Sequence, residues 1–156
     1  MKITLIQVGK TNENYIQTGI KEYQKRLKNY IVFEEITVAE AKNKKKTIKE
    51  QKVEEAKNIL KEIKGGDLVI LLDEKGKEYN SVGYSQFLQK QLNSGVKRVT
   101  FVVGGAYGFS EVVYARSNQK IALSKMTFSH QMVRLIFKEQ LYRGFTILKN
   151  EPYHHQ

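Results

Sequence analysis

Apolar and polar positions follow two rhythms along this chain, one near 3.6 residues and one short and unbroken. Lys2–Val8 is an apolar, strand-like run that stops at Gly9. Asn12–Asn29 then carries Ile16, Ile20, Tyr23, Leu27 and Tyr30 at steps of four, three, four and three, which is one helical stripe. Lys21, Lys25, Arg26 and Lys28 take the other face, and Ile31–Val38 reads as a second strand. Thr47-Ile48-Lys49-Glu50 is a capping-box pattern. The helix it opens is expected to bury Val53, Ala56, Leu60 and Ile63 and to stop at Gly65-Gly66. Asp67–Leu72 holds five apolar residues without alternation, the mark of a strand buried on both faces. Asp73–Asn80 is expected to be a polar turn around Gly76. Ser81–Asn93 aligns Tyr84, Leu88 and Leu92 in a helix closed by Gly95, and Val99–Val103 is another buried strand. Ser110 is expected to cap a short helix through Ser117, and Lys120–Ser124 to form a short strand. Ser129 is expected to cap a last helix through about Lys149, with Val133, Ile136, Phe137, Leu141, Phe145 and Leu148 in one stripe.

Strand and helix alternate throughout, so the expected fold class is α/β, with a mostly parallel sheet and helices on both faces. The 156 residues fit a single domain, 1–156, and the only proline, Pro152, marks no internal boundary. No apolar run approaches the roughly 20 residues that cross a bilayer. The start lacks the apolar segment and cleavage site of a signal peptide, so a soluble cytoplasmic protein without a membrane partner is expected. The absence of cysteine removes disulfides, thiolate zinc sites and cysteine nucleophiles together.

Charge narrows the choice of partner. The formal net charge is +11, and an excess of that size on a small domain suggests a polyanion, nucleic acid first. A solvated, lysine-rich surface is the plainer reading. Residues 97–149 are the most one-sided stretch, with nine basic and two acidic side chains. Four of the five arginines lie there: Arg98, Arg116, Arg134 and Arg143. Arginine suits phosphate forks and base stacking. The near-contiguous Lys42–Lys46 run reads as an exposed loop, with phosphate contact as a secondary role.

Candidate chemistry sits after two late strands. In open α/β sheets ligands bind beyond the carboxyl ends of the strands. Gly104-Gly105-Ala106-Tyr107-Gly108 occupies such a place, as either a tight turn or a close backbone approach to a ligand. It is not a P-loop, because Phe109-Ser110 follows its last glycine, and it has neither the spacing nor the position of a dinucleotide fingerprint. One short strand later comes Leu123-Ser124-Lys125-Met126-Thr127-Phe128-Ser129-His130. Two loops from neighbouring strand ends are placed to wrap one small ligand.

These segments together resemble a known family. Val102–Gly108, Leu123–Arg134, Glu139-Gln140-Leu141-Tyr142-Arg143 and Tyr153-His154 resemble the RlmH family of small SPOUT-class RNA methyltransferases. Val8-Gly9-Lys10 and Glu22-Tyr23-Gln24-Lys25-Arg26 resemble it too, so the likeness spans essentially the whole chain. It implies an α/β knot, with a C-terminal trefoil knot that forms the cofactor pocket, and a homodimer. It also implies an S-adenosyl-L-methionine-dependent enzyme that methylates N3 of a pseudouridine in helix 69 of 23S rRNA on the assembled ribosome. A non-catalytic ribosome-binding or assembly factor of the same fold, or a SPOUT enzyme acting on another RNA base, is the alternative.

Carried over by position, the resemblance implies cofactor contacts at Leu72, Gly104, Leu123, Ser124, Lys125, Met126, Thr127 and Phe128. It places Arg143, Tyr153 and His154 at the target base. Methyl transfer from a sulfonium needs no Lewis acid, so no metal is expected. Arg143 is expected to stabilise negative charge on the base, with a plain ion pair to Glu139 as the rival reading. His154 is open between base and stacking contact, and Tyr153 is expected to stack on RNA. His130 is expected to orient its loop, and Lys125 and Arg134 to line the RNA approach. Ser129 stands where the family has a proline, and His155 where some members have a basic residue. The last helix is expected to help form the dimer, so that the tail of one subunit reaches the cofactor of the other.

Overall fold

The computed structural model describes residues 1–43 and 45–155. Five strands form one parallel sheet: β1 (Lys2–Val8), β2 (Val32–Val38), β3 (Leu68–Glu78), β4 (Arg98–Val103) and β5 (Gln119–Ala122). Their order is β2-β1-β4-β3-β5. The helices are α1 (Asn14–Leu27), α2 (Ile48–Glu62), α3 (Ser81–Asn93), α4 (Glu111–Arg116) and α5 (Met132–Leu148). Parallel pairing needs a crossover after each strand, and the helices supply it on both faces.

One apolar layer joins Leu27 of α1, Leu88 of α3 and Phe137 and Leu141 of α5 to Ile3, Leu5 and Phe101 of the sheet. The other sets Ala56 and Ile59 of α2 and Val113 of α4 against Ile6, Val69, Leu71 and Val102. Every residue of β4 is buried, as its unbroken apolar run requires.

The capping box at Thr47 forms: its hydroxyl accepts from Glu50 N, and Glu50 Oε2 accepts from Thr47 N at 2.8 Å. The stripe of that helix is set differently from expectation. Ala56 and Ile59 are buried, whereas Val53 is 41% exposed and Leu60 and Ile63 are half-buried. Alanine is small enough to sit close to the sheet, so it turns Ile59 inward rather than Leu60. Ser110 precedes α4, but its hydroxyl makes no cap bond. Ser129 Oγ accepts from Met132 N at 3.2 Å, but the N-cap position of α5 is Gln131, which makes no side-chain cap bond.

The largest departure is at residues 73–80. The expected polar turn is in part strand, because β3 runs on to Glu78. Leu72 and Lys77 both lie opposite Ile121 of β5, so the four residues between them strap round that strand. A Cβ on Gly76 would lie 2.5 Å from the backbone N and C of Ile121. Only glycine permits that approach. The charged stretch hides this strand because its pairing is made by backbone alone with a segment some 45 residues on.

The charged side chains of the final third are partly consumed inside the fold. Arg98 is buried and donates to Asp67 through Nε at 2.9 Å and Nη2 at 2.5 Å. Burial works to raise the Asp67 carboxyl's pKa, but Arg98, the Lys64 amide and Thr100 outweigh it and hold the group below its usual range. Arg134 and Lys138 of α5 are fully buried. Arg134 donates to Val8 O and Thr11 Oγ1, and Lys138 Nζ lies 2.6 Å from Glu35 Oε2. These contacts dock α5 on β2 and on the end of β1.

Candidate functional site

The middle of β3 and the carboxyl ends of β4 and β5 converge on a cleft of about 610 Å³. Three segments far apart in sequence build it. The β3 segment supplies Leu72, Asp73 and Glu74, the glycine loop supplies residues 104–109, and the loop after β5 supplies Leu123, Ser124 and residues 126–130. Seven of the eight expected cofactor residues line it: Leu72, Gly104, Leu123, Ser124, Met126, Thr127 and Phe128. Lys125 does not; it is exposed at the surface of the loop.

The loops present backbone rather than charge. The amides of Lys125, Thr127 and Phe128 find no hydrogen-bond partner among the described residues, while Met126 N is taken by Ser124 Oγ at 2.9 Å. Gly108 has φ +79°, a conformation that suits glycine, and its N–H closes a tight turn onto Gly105 O at 3.2 Å. Leu72, Val103, Phe109, Phe128 and Val133 add apolar wall. Apolar walls with a few free backbone donors suit a small amphipathic ligand with an aromatic base. S-adenosylmethionine fits that donor set.

Three lining residues, Asp73, Glu74 and Tyr114, were not legible as such in sequence. Asp73 accepts a short hydrogen bond from the hydroxyl of Tyr114, whose pKa is pushed up to about 12 by burial and then by that carboxylate. Glu74 Oε2 accepts from Thr127 Oγ1 at 3.3 Å and ties the strap of β3 to the loop after β5. The acids' signal was faint: an acidic pair directly after a buried apolar run. His130 also lines the cleft, and burial, then Arg134, lowers its pKa below the usual imidazole value. Arg134 itself is a correction, because a fully buried guanidinium cannot line an RNA approach.

Arg143, Tyr153 and His154 come together, but not at this cleft. Arg143 Nε and Nη2 donate to Glu139 Oε1 at 3.0 and 2.5 Å, and its guanidinium lies 4.7 Å over the Tyr153 ring. Arg143 Nη1 is 3.3 Å from His154 Nδ1. The Tyr153 hydroxyl donates to Glu139 Oε1 at 3.1 Å and pairs with Tyr23 Oη at 3.0 Å. Burial, then Tyr23 and Glu139, raise the Tyr153 phenol's pKa, so it stays protonated. The Glu139 hydrogen bond keeps Arg143 charged. The Arg143–Glu139 ion pair forms, and Arg143 also lies beside Tyr153 and His154.

Val133 lines the cleft and Arg143 is ten residues further along α5, about 15 Å at the helical rise. Within one chain the cluster is thus displaced from the cleft. His155 is exposed. In the lysine-rich run, Lys46 pairs with Glu54 at 2.9 Å, while Lys44 lies outside the described residues.

Residues 1–154 match the family model described as a predicted SPOUT methyltransferase. Proteins named Ribosomal RNA large subunit methyltransferase H from Flavobacterium psychrophilum and Flavobacterium johnsoniae are 56% and 55% identical to this chain, each over 100% of both sequences. The protein of that name from Parabacteroides distasonis is 54% identical with the same coverage. A solved structure of a probable methylase family protein from Haemophilus influenzae aligns with 99% of this chain and 70% of its own. Its TM-score is 0.52 at 12% identity, a likeness of fold.

Proposed function

Since the chain belongs to the SPOUT methyltransferase family, we propose that it transfers a methyl group from S-adenosylmethionine to N3 of a pseudouridine in helix 69 of 23S rRNA, as a homodimer acting on the ribosome. The observation that carries this reading is the cleft, which gathers Leu72, Gly104 and most of residues 123–128 beside the middle of β3 and the ends of β4 and β5, with loop amides left unpaired among the described residues. The bound cofactor supplies an electrophilic methyl on a positively charged sulfur. A trefoil knot belongs to the same proposal, and the strap of residues 73–76 round β5 is the feature that supports it.

The chain's own residues have three tasks. Phe128, Leu72 and Val133 form apolar wall that would exclude water from a bound cofactor, and in-line placement of methyl and base at about 3–3.5 Å is the main catalytic need. Arg143 balances the charge that spreads onto the uracil carbonyl oxygens once N3 loses its proton. Guanidinium has five N–H donors. Glu139 and His154 take three of them, which leaves two for the base. His154 follows from that contact. Arginine can only donate, so Nδ1 accepts, and the neutral ring carries its hydrogen on Nε2. His154 then meets the substrate as a donor rather than as the group that takes the N3 proton.

The 15 Å between cleft and cluster is what favours a dimer, in which one subunit's tail serves its partner's cleft. The direct test is incubation with intact ribosomes and isotopically labelled cofactor, followed by mass spectrometry of the rRNA nucleosides. N3-methylated pseudouridine is the expected product. Cofactor binding by calorimetry without any methylated nucleoside would instead support a binding factor of the same fold.

A further inference from the structure

A second concavity lies on the flank of α1, away from the cleft. It is a groove of about 400 Å³ between α1 and the sheet edge, lined by Lys21, Gln24, Lys25, Lys28, Phe33 and Glu35. The lysines stand four and three residues apart, on one face of the helix. None has a carboxylate within ion-pair distance among the described residues. The one acid in the groove is already occupied: Glu35 accepts from Gln7 and Gln24 at 2.9 Å and pairs with buried Lys138.

We infer that this groove is the phosphate-binding platform for the RNA substrate, a conclusion that rests on the RNA-directed reading above. Three observations converge. First, three of the four arginines of the most basic stretch are not free for this purpose: Arg98 and Arg134 are buried and Arg143 is held by Glu139, while Arg116 makes one bond to Lys64 O. The three α1 lysines are uncommitted cations on a concave surface, where fields from like charges add. Second, the helix that carries the lysines on one face holds the tail cluster on its other face. Lys28 is two residues before Tyr30, whose hydroxyl bonds Glu151, and Tyr153 bonds Tyr23 on the same helix as the lysines. Third, the flank is free of α5. Gly19 packs on Leu135, and Tyr23 and Arg26 pack on Tyr142, whereas Gln24 turns towards β2. Phosphates seated along Lys21, Lys25 and Lys28 would anchor the RNA on the helix whose other face carries Tyr23 and, through it, Tyr153.

The test compares Lys21→Gln/Lys25→Gln/Lys28→Gln with a control of equal charge loss on α2 and its exit, Lys57→Gln/Lys61→Gln/Lys64→Gln. Circular dichroism checks folding of both. Ribosome binding is measured by sedimentation over a salt series, and turnover and cofactor calorimetry are run in parallel. The groove variant is expected to bind about tenfold more weakly at moderate salt, with a log–log salt slope shallower by about two to three. Its KM should rise while kcat and cofactor affinity stay within twofold, and the control should match wild type. Equal weakening in groove and control variants would overturn the platform, since charge alone would then matter. So would loss of binding only to anionic phospholipid vesicles, which would make the flank a membrane contact. If wild type binds ribosomes but methylates no rRNA, the catalytic reading fails, while the binding comparison still decides the groove.

Discussion

Glu139 takes Arg143 Nε, Arg143 Nη2 and the Tyr153 hydroxyl on a single oxygen, so one carboxylate orients both the cation and the ring of the tail. In the proposed reaction such convergence would preorganise a charge for the transition state, and removing it should cost rate more than binding. Arg143→Ala is expected to lower kcat on ribosomes by about 100-fold or more with cofactor affinity unchanged. Near-normal turnover would remove it from the chemistry. Arg143→Lys should recover little, because a point charge cannot reproduce the fork. For His154, the donor role predicts a rate that climbs above neutral pH with the substrate's own ionisation and keeps that rise in His154→Gln. A rise lost in that variant would restore the base. His130 gives a separate handle. Its folded pKa is lowered by burial, so the unfolded chain binds the extra proton first. Stability is then unaffected by this group above the unfolded value near 6.5 and falls as pH drops below it, towards the lower folded value. Thermal melts from pH 7.5 to 5 should show that loss, and His130→Asn should flatten it.

Two glycines separate what an element tolerates from what it requires. A methyl group added to Gly65 would meet nothing within 4 Å, so Gly65→Ala should be neutral or stabilising by up to about 1 kcal/mol. Gly76 faces the backbone of Ile121 and Lys120 at 2.5–2.6 Å, where nothing can yield. Gly76→Ala should unseat the strap from β5 and weaken cofactor binding; an unaltered melt with full binding would refute the strap's tightness. The dock of α5 is as demanding. Lys138 is fully buried, and burial, against the pull of Glu35, lowers its pKa. Glu35→Ala would strand that ammonium at a cost of about 3–5 kcal/mol, read by chemical denaturation. Pairing it with Lys138→Met should restore most of the loss.

Over the molecule as a whole, the distance between cleft and tail cluster makes oligomeric state a functional matter. A variant lacking residues 153–156 and a Gly104→Val variant should each be inactive alone. Mixed and re-equilibrated in equal amounts, they should regain about a quarter of wild-type turnover, since half the dimers would hold one intact composite site. No recovery, or a monomer by light scattering at micromolar concentration, would place both halves of the site within one chain. The net charge of +11 also looks different in three dimensions. The arginine-rich third spends Arg98, Arg134 and Lys138 inside the fold, and the helix that read as a lysine-coated surface gathers three cations, unpaired among the described residues, along one groove.

Periodicity carried the five strands, the five helices and the parallel α/β class, because burial on a sheet face imposes its spacing locally, residue by residue. Local chemistry likewise carried the Thr47 capping box and the glycine turn before Phe109, since their partners lie within a few positions. Of the eight cofactor residues the resemblance picked out, seven line one cleft, and Arg143 of α5 does meet Tyr153 and His154 of the tail. Folding alone could show that residues 77–78 pair with β5, that Ile59 rather than Leu60 faces the sheet, and that Arg134 and Lys138 are interior. Each of those outcomes depends on a partner far along the chain, and neither hydropathy nor charge at one position records who that partner will be.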